Sequence, residues 1–193
     1  MEKESLNKRR IVVIGGSAGS LEGLIKIISF IPPDTTSSVI VVIHRKNSND
    51  SLLPKLLASK TKLIVKEVED KESISQGHIY IAPPDYHLLI EDRNNFSLDV
   101  SDKVQFSRPS IDVTFESAAE VFESDLIGIL LSGANADGSE GLNKIVKYGG
   151  YAIVQDPLTA DVPFMPEQAI ASTTINMIAD ADKIGRYLKE ILK

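Results

Sequence analysis

The chain contains no cysteine, which at once excludes disulfides, thiolate catalysis and cysteine-based metal sites. It has only three histidines, His44, His78 and His87, and no paired spacing among them, so neither a metal nor a cofactor is expected. Long apolar runs are missing as well. The first run, Ile11 to Ile14, follows the polar opening MEKESLNKRR and is far too short for a signal peptide or a membrane span. The expectation is a cytoplasmic protein without membrane insertion. A basic surplus is also lacking, since the formal net charge is -6, and no nucleic-acid partner is expected. No repeat, low-complexity tract or long linker divides the 193 residues. They read as one domain over 11–193 preceded by a polar tail over 1–10.

What is present is an ordinary globular composition, 42% hydrophobic and 25% charged, arranged as strands alternating with helices. Ile11-Val12-Val13-Ile14 is a β-branched run ending in paired glycines, the pattern of a buried parallel strand entering a tight turn. Leu21, Leu24, Ile25, Ile27 and Ile28 then recur at helical spacing, and Pro32-Pro33 ends that helix. Ser38 to Ile43 is a second buried strand, closed by His44. A polar loop and a short helix fill Asn47 to Ser59, and Leu63 to Val68 reads as a strand. From Gly77 to Val100, short strands separated by turn residues predict an antiparallel hairpin region or sheet edge. A helix is predicted over about Ser110 to Phe122, because Pro109 suits a helix start. Leu126 to Leu131 is a third buried strand, Gly138 to Lys147 a helix, and Tyr151 to Val154 a further strand. Ala181 to Leu192 reads as an amphipathic closing helix. This order predicts an α/β fold: a doubly wound, mostly parallel sheet with helices on both faces and a small antiparallel hairpin region.

In such sheets, ligands bind beyond the carboxyl ends of the strands. The three clearest strands each deliver a reactive residue there: Ser17, His44 and Asp137. Gly15-Gly16-Ser17-Ala18-Gly19 fits G-x-S-x-G, the strand-to-helix turn that exposes a serine hydroxyl next to the amides of a helix start. A bare helix cap by Ser17 or Ser20 would fit the same pattern. His44 has the near-neutral basicity needed to take a serine proton, although a strand-end histidine also serves structurally. His78 and His87 read as structural or rim residues. Asp137 could orient His44, or it could form a capping box with Glu140 for the following helix.

These blocks resemble the catalytic domain of the CheB-type chemotaxis receptor methylesterases. The resemblance is carried by Ile14-Gly15-Gly16-Ser17-Ala18-Gly19, Val42-Ile43-His44, Gly77-His78-Ile79-Tyr80-Ile81-Ala82-Pro83-Pro84, Arg108-Pro109-Ser110-Ile111-Asp112-Val113, and Leu131-Ser132-Gly133 leading to Asp137-Gly138. Met165-Pro166 before Ala169-Ile170 agrees with it. The resemblance implies Ser17 as nucleophile, His44 as general base and Asp137 as orienting carboxylate, with Ala18, Ala134 and Asn135 in the oxyanion and substrate loop. It implies hydrolysis of glutamyl γ-methyl esters on the cytoplasmic helices of methylated chemoreceptors, deamidation of some receptor glutamines, and a partner methyltransferase. Asn135 stands where the family usually has glycine, and Ala134 where many members have a larger side chain. A phosphorylatable receiver domain is absent from these residues, so the stand-alone version is expected.

Two other functions fit parts of the pattern. A dinucleotide-binding turn would need G-x-G-x-x-G, and Ser17 occupies the position of its second glycine, where a side chain would block a pyrophosphate. A receptor-binding module that has lost catalysis would account for the altered Ala134 and Asn135.

Overall fold

A computed structural model describes residues 10–45 and 52–193. Nine strands and six helices follow in the order β1 (Ile11–Gly16), α1 (Ser20–Ser29), β2 (Ser38–Ile43), α2 (Leu52–Ala58), β3 (Ile64–Glu67), β4 (His78–Ile81), β5 (His87–Ile90), β6 (Phe96–Asp99), α3 (Ile111–Phe122), β7 (Leu126–Leu130), α4 (Ser139–Lys147), β8 (Tyr151–Gln155), α5 (Phe164–Ser172), β9 (Met177–Ala179) and α6 (Ala181–Ile191). Seven strands form one sheet in the order β3-β4-β2-β1-β7-β8-β9, and every pairing in it is parallel. The expected fold is therefore the observed one. Apart from Arg10, the polar tail lies outside the described residues, as does most of the loop before α2.

The sheet is covered on both faces because alternate strand residues bury on opposite sides. Ile11, Val13, Ile40, Val42 and Leu130 face α3, α4 and α5. Val12, Ile14, Val39, Val41 and Ile129 face α1, α2 and α6. In α1, Leu24, Ile27 and Ile28 are fully buried against that second face. At roughly 1.5–3 kcal/mol for each buried aliphatic side chain, this face fixes the helix that starts just after Ser17.

The region Gly77 to Val100 differs from the sequence expectation. Among the strands of the described residues only β5 and β6 pair antiparallel, while β4 runs parallel between β2 and β3 in the main sheet. The physical reason is visible in His78-Ile79-Tyr80-Ile81, where Ile79 and Tyr80 bury on opposite faces. A strand covered on both sides belongs inside a parallel sheet, not in a hairpin. Helix α5 and strand β9 add two elements to the expected order. Pro166 in α5 obscures the pattern but lies in the first helical turn, where no backbone N–H is required. Among the described residues, no helix is long and apolar enough to cross a membrane.

Candidate active site

The chain order places β2, β1 and β7 side by side at the centre of the sheet, so the segments leaving their carboxyl ends meet on one edge. Strand β1 runs two residues beyond its aliphatic stretch, through Gly15 and Gly16. A Cβ on Gly15 would lie 2.4 Å from Ile111 Cγ2 of α3, so only glycine lets that helix approach. Gly19 then adopts φ +74°, and its missing Cβ would fall 2.6 Å from Asp161 Cβ. The chain reverses sharply here and presents Ser17, which is half-buried, ahead of α1.

Ser17 does not cap that helix. The N-cap is Gly19, without a side-chain cap, and the local bond is made by Ser20, whose Oγ donates to the Ser17 carbonyl at 2.7 Å. Among the described residues, Ser17 Oγ makes no hydrogen bond. Its backbone is held by Ser17 N–H donating to Ser132 O at 2.9 Å. Ser132, beyond β7, also donates from Oγ to Ala18 O at 2.8 Å and accepts from Val162 N–H at 2.9 Å. Its own N–H is anchored on Gln155 Oε1 at 3.0 Å. Three strand ends thus hold the serine turn in place.

His44 follows β2 immediately, and its N–H donates to Gly16 O at 3.2 Å. Its Nε2 lies 2.7 Å from Asp137 Oδ2. Its other ring nitrogen, Nδ1, faces Ser107 Oγ at 3.3 Å. The sequence-predicted trio therefore divides into a formed pair, His44–Asp137, and a serine that lies at the neighbouring strand end without a side-chain bond to His44. Hydrogen bonds between a nucleophile and its base are commonly unmade in unliganded structures, so the gap does not exclude the pairing.

Asp137 is fully buried. Its carboxylate accepts from Ser110 Oγ at 2.9 Å, from Ile111 N–H at 2.7 Å and from Asp112 N–H at 2.9 Å, all at the start of α3. The capping-box alternative is thus corrected: Asp137 caps α3, not the helix that follows it. Gly138 is the N-cap of α4, and its φ of +101° turns Asp137 away from that helix. The amides of α4 find another acid. Asp112 Oδ1 accepts from Gly138 N–H at 2.8 Å and from Gly141 N–H at 2.7 Å. Each of the two helices is capped by a carboxylate from the other's segment.

The two acids separate in acidity. Burial pushes Asp137 up, but the bonds from His44 and from the backbone of Asp112 and Ile111 outweigh it and hold the group below its ordinary value. Asp137 is therefore ionised and accepts the hydrogen bond that His44 Nε2–H donates, which leaves Nδ1 as the ring nitrogen without a proton in the neutral imidazole. Burial pushes Asp112 up to about 7, reinforced by the negative charge of Asp137 beside it. In neutral solution Asp112 is poised between a carboxyl group and a second buried charge.

The candidate oxyanion residues lie around this centre. Ala18 and Ala134 are exposed, and among the described residues their N–H groups donate to nothing. Asn135 does not adopt the positive φ that would explain a glycine there. Instead its Oδ1 accepts from Asp137 N–H at 3.2 Å, and its Nδ2 donates to Gln105 O at 3.4 Å, bracing the loop. Met165 of α5 packs under the same loop, where a Cβ on Gly133 would meet its Cε at 2.4 Å.

A family model for CheB methylesterase matches residues 12–188, spanning all three strand ends and the loops between them. The chain belongs to the CheB methylesterase family. A Leptospira interrogans protein, provisionally named protein-glutamate methylesterase/protein-glutamine glutaminase, is 44% identical over 174 residues, 90% of each chain. The protein-glutamate methylesterase/protein-glutamine glutaminase of Thermotoga maritima is 37% identical over 186 residues, 95% of this chain and 54% of that one. The crystal structure of the Thermotoga maritima CheB methylesterase catalytic domain is similar with a TM-score of 0.90 at 36% identity, covering 96% of this chain and all of that one. Membership in the CheB family supports the esterase reading over the dinucleotide-binding alternative. His87 is structural, as expected: it is fully buried, Nδ1 accepts from Ser110 N–H, and Nε2 bonds to Asp102 O.

Sequence reasoning missed the supports of this CheB-type site: Asp112, Ser110, Ser132, Gln155 and Ser107. Arg108-Pro109-Ser110-Ile111-Asp112 carried a signal, because a serine after proline and an acid in the first helical turn mark a helix start. What it could not show is that the acid caps a different helix.

Proposed function

We propose that this chain is a serine esterase that hydrolyses glutamyl γ-methyl esters on the cytoplasmic helices of methylated chemoreceptors, releasing methanol. The observation that carries the reading is the buried, ionised Asp137 bonded at 2.7 Å to a histidine at the strand end next to Ser17. Ser17 Oγ attacks the ester carbonyl carbon while His44 Nδ1 takes its proton. The N–H groups of Ala18 and Ala134 receive the negative charge that develops on the carbonyl oxygen. His44 then passes the proton to the methoxide oxygen, the C–O bond breaks and methanol leaves. Water, deprotonated by His44, attacks the acyl-serine, and its proton returns through His44 to Ser17. Asp137 keeps its charge throughout and holds the imidazole in one tautomer. With a glutamine side chain the same steps release ammonia instead of methanol.

The substrate ester is supplied by a partner methyltransferase, and the reaction takes place in the cytoplasm. Ser17→Ala removes a side chain that makes no hydrogen bond among the described residues, so the variant should fold normally and lose methanol release by about 10³-fold or more. Methanol from methylated receptor measured with this variant at wild-type level would sink the assignment. An organophosphonate probe separates an active site from an inert receptor-binding module, since only the former is modified at Ser17.

A further inference from the structure

A cavity of about 470 Å³ opens beside His44, between the end of β2 and the loop that precedes α3. On a chain of net charge -6, its lining among the described residues is cationic: Arg45, Lys103 and Arg108 face it, with Asp85 as the one acid. The three cations are not equally neutralised. Arg45 is ion-paired with Glu67. Arg108 Nη1 donates to two neutral acceptors, Val100 O and Ser101 O, at 2.7 Å each, which fixes the side chain without cancelling its charge. Lys103 is exposed and, among the described residues, forms no salt bridge. Phe106 rims the cavity with a 96% exposed ring, held out by successive positive φ values at Gln105 and Phe106.

We propose that this cavity is a carboxylate subsite, which receives an acidic side chain of the substrate chain close to the scissile ester. Arg108 and Lys103 supply the charge, and Phe106 offers an apolar wall to the methylene of the bound side chain. The inference rests on the esterase reading above and adds a specificity to it. Electrostatic complementarity at such a rim selects partners and speeds encounter. It also offsets the repulsion between an acidic substrate and an enzyme that is acidic overall.

The test uses two helical peptides with one glutamyl methyl ester each, differing only in flanking aspartates or asparagines. The aspartate peptide should show a kcat/KM roughly 1.5- to fivefold higher at low salt, on the scale of partly exposed ion pairs. The preference should shrink as ionic strength rises. Lys103→Glu should abolish or invert the preference, whereas Lys189→Glu, at the far end of α6, should leave it intact. Binding of both peptides to the Ser17→Ala variant reads the same preference without turnover. Absence of methanol from either peptide would therefore strike the esterase reading alone. Equal binding and equal kcat/KM for the two peptides, or a preference that Lys103→Glu does not alter, would overturn the subsite.

Discussion

Replacing Asp112 with asparagine should change how the stability of this domain depends on pH. The ordinary value for the unfolded carboxyl is 3.8, and burial beside Asp137 raises the folded value to about 7. Between these values the native state keeps a proton that the unfolded chain has lost. The stability tied to this group is thus fully present below pH 3.8 and is lost as pH rises through about 7. At 1.36 kcal/mol per pH unit, the loss across that window is roughly 4 kcal/mol. Asparagine keeps an oxygen for the N–H groups of Gly138 and Gly141 and has no charge to acquire. The contribution of Asp137 is common to both proteins and largely cancels in their difference. Thermal melts of wild type and variant at pH 4.5, 6 and 8 should therefore diverge. With 2–4 °C per kcal/mol for a domain of this size, the variant should gain roughly 8–16 °C on wild type across the window. A constant difference in Tm from pH 4.5 to pH 8 would refute the reasoning, because it would mean that Asp112 titrates normally in the folded state.

Other outcomes follow from the same contacts. His44→Ala should lose nearly as much activity as Ser17→Ala, read as methanol release, because the members of the proposed triad act as a unit. Asp137→Asn should lower kcat by spoiling the tautomer of His44 and leave a larger remnant than Ser17→Ala or His44→Ala. Asp137→Ala should in addition cost about 2–3 kcal/mol in urea unfolding, because the N–H groups of Ile111 and Asp112 lose their buried acceptor. Gly19→Ala should destabilise by about 1–3 kcal/mol, since its φ of +74° and the 2.6 Å approach of Asp161 both oppose a side chain, and calorimetry would report it directly.

The central part of the fold could be read in the sequence because its signals are local. The β-branched runs Ile11 to Ile14, Ser38 to Ile43 and Leu126 to Leu131 each became a central strand, and the rule that ligands sit at their carboxyl ends pointed to Ser17, His44 and Asp137, of which the structure pairs His44 with Asp137. The parallel placement of β4 was hidden because Pro83-Pro84 and the following hairpin lend a buried strand the look of a sheet edge. Asp137 showed the limits most clearly. Its spacing to Glu140 is correct for a capping box, yet burial and the positive φ of Gly138 commit it to a helix that begins 26 residues earlier in the chain. Capping partners adjacent in sequence can be read from spacing; partners brought together by packing cannot.

The exchange of carboxylates between α3 and α4 has an evolutionary consequence. Asp137 secures the start of α3 as well as the imidazole, so a descendant relieved of its chemistry would still be selected to retain it. Among the described residues Ser17 Oγ holds no other part of the molecule, so of the two side chains it is the one that turnover alone would preserve. Among diverging copies of this domain, drift should therefore erase the proposed nucleophile first and leave the aspartate as a relic, so an intact Asp137 is poor testimony to a working enzyme and an intact serine is good testimony.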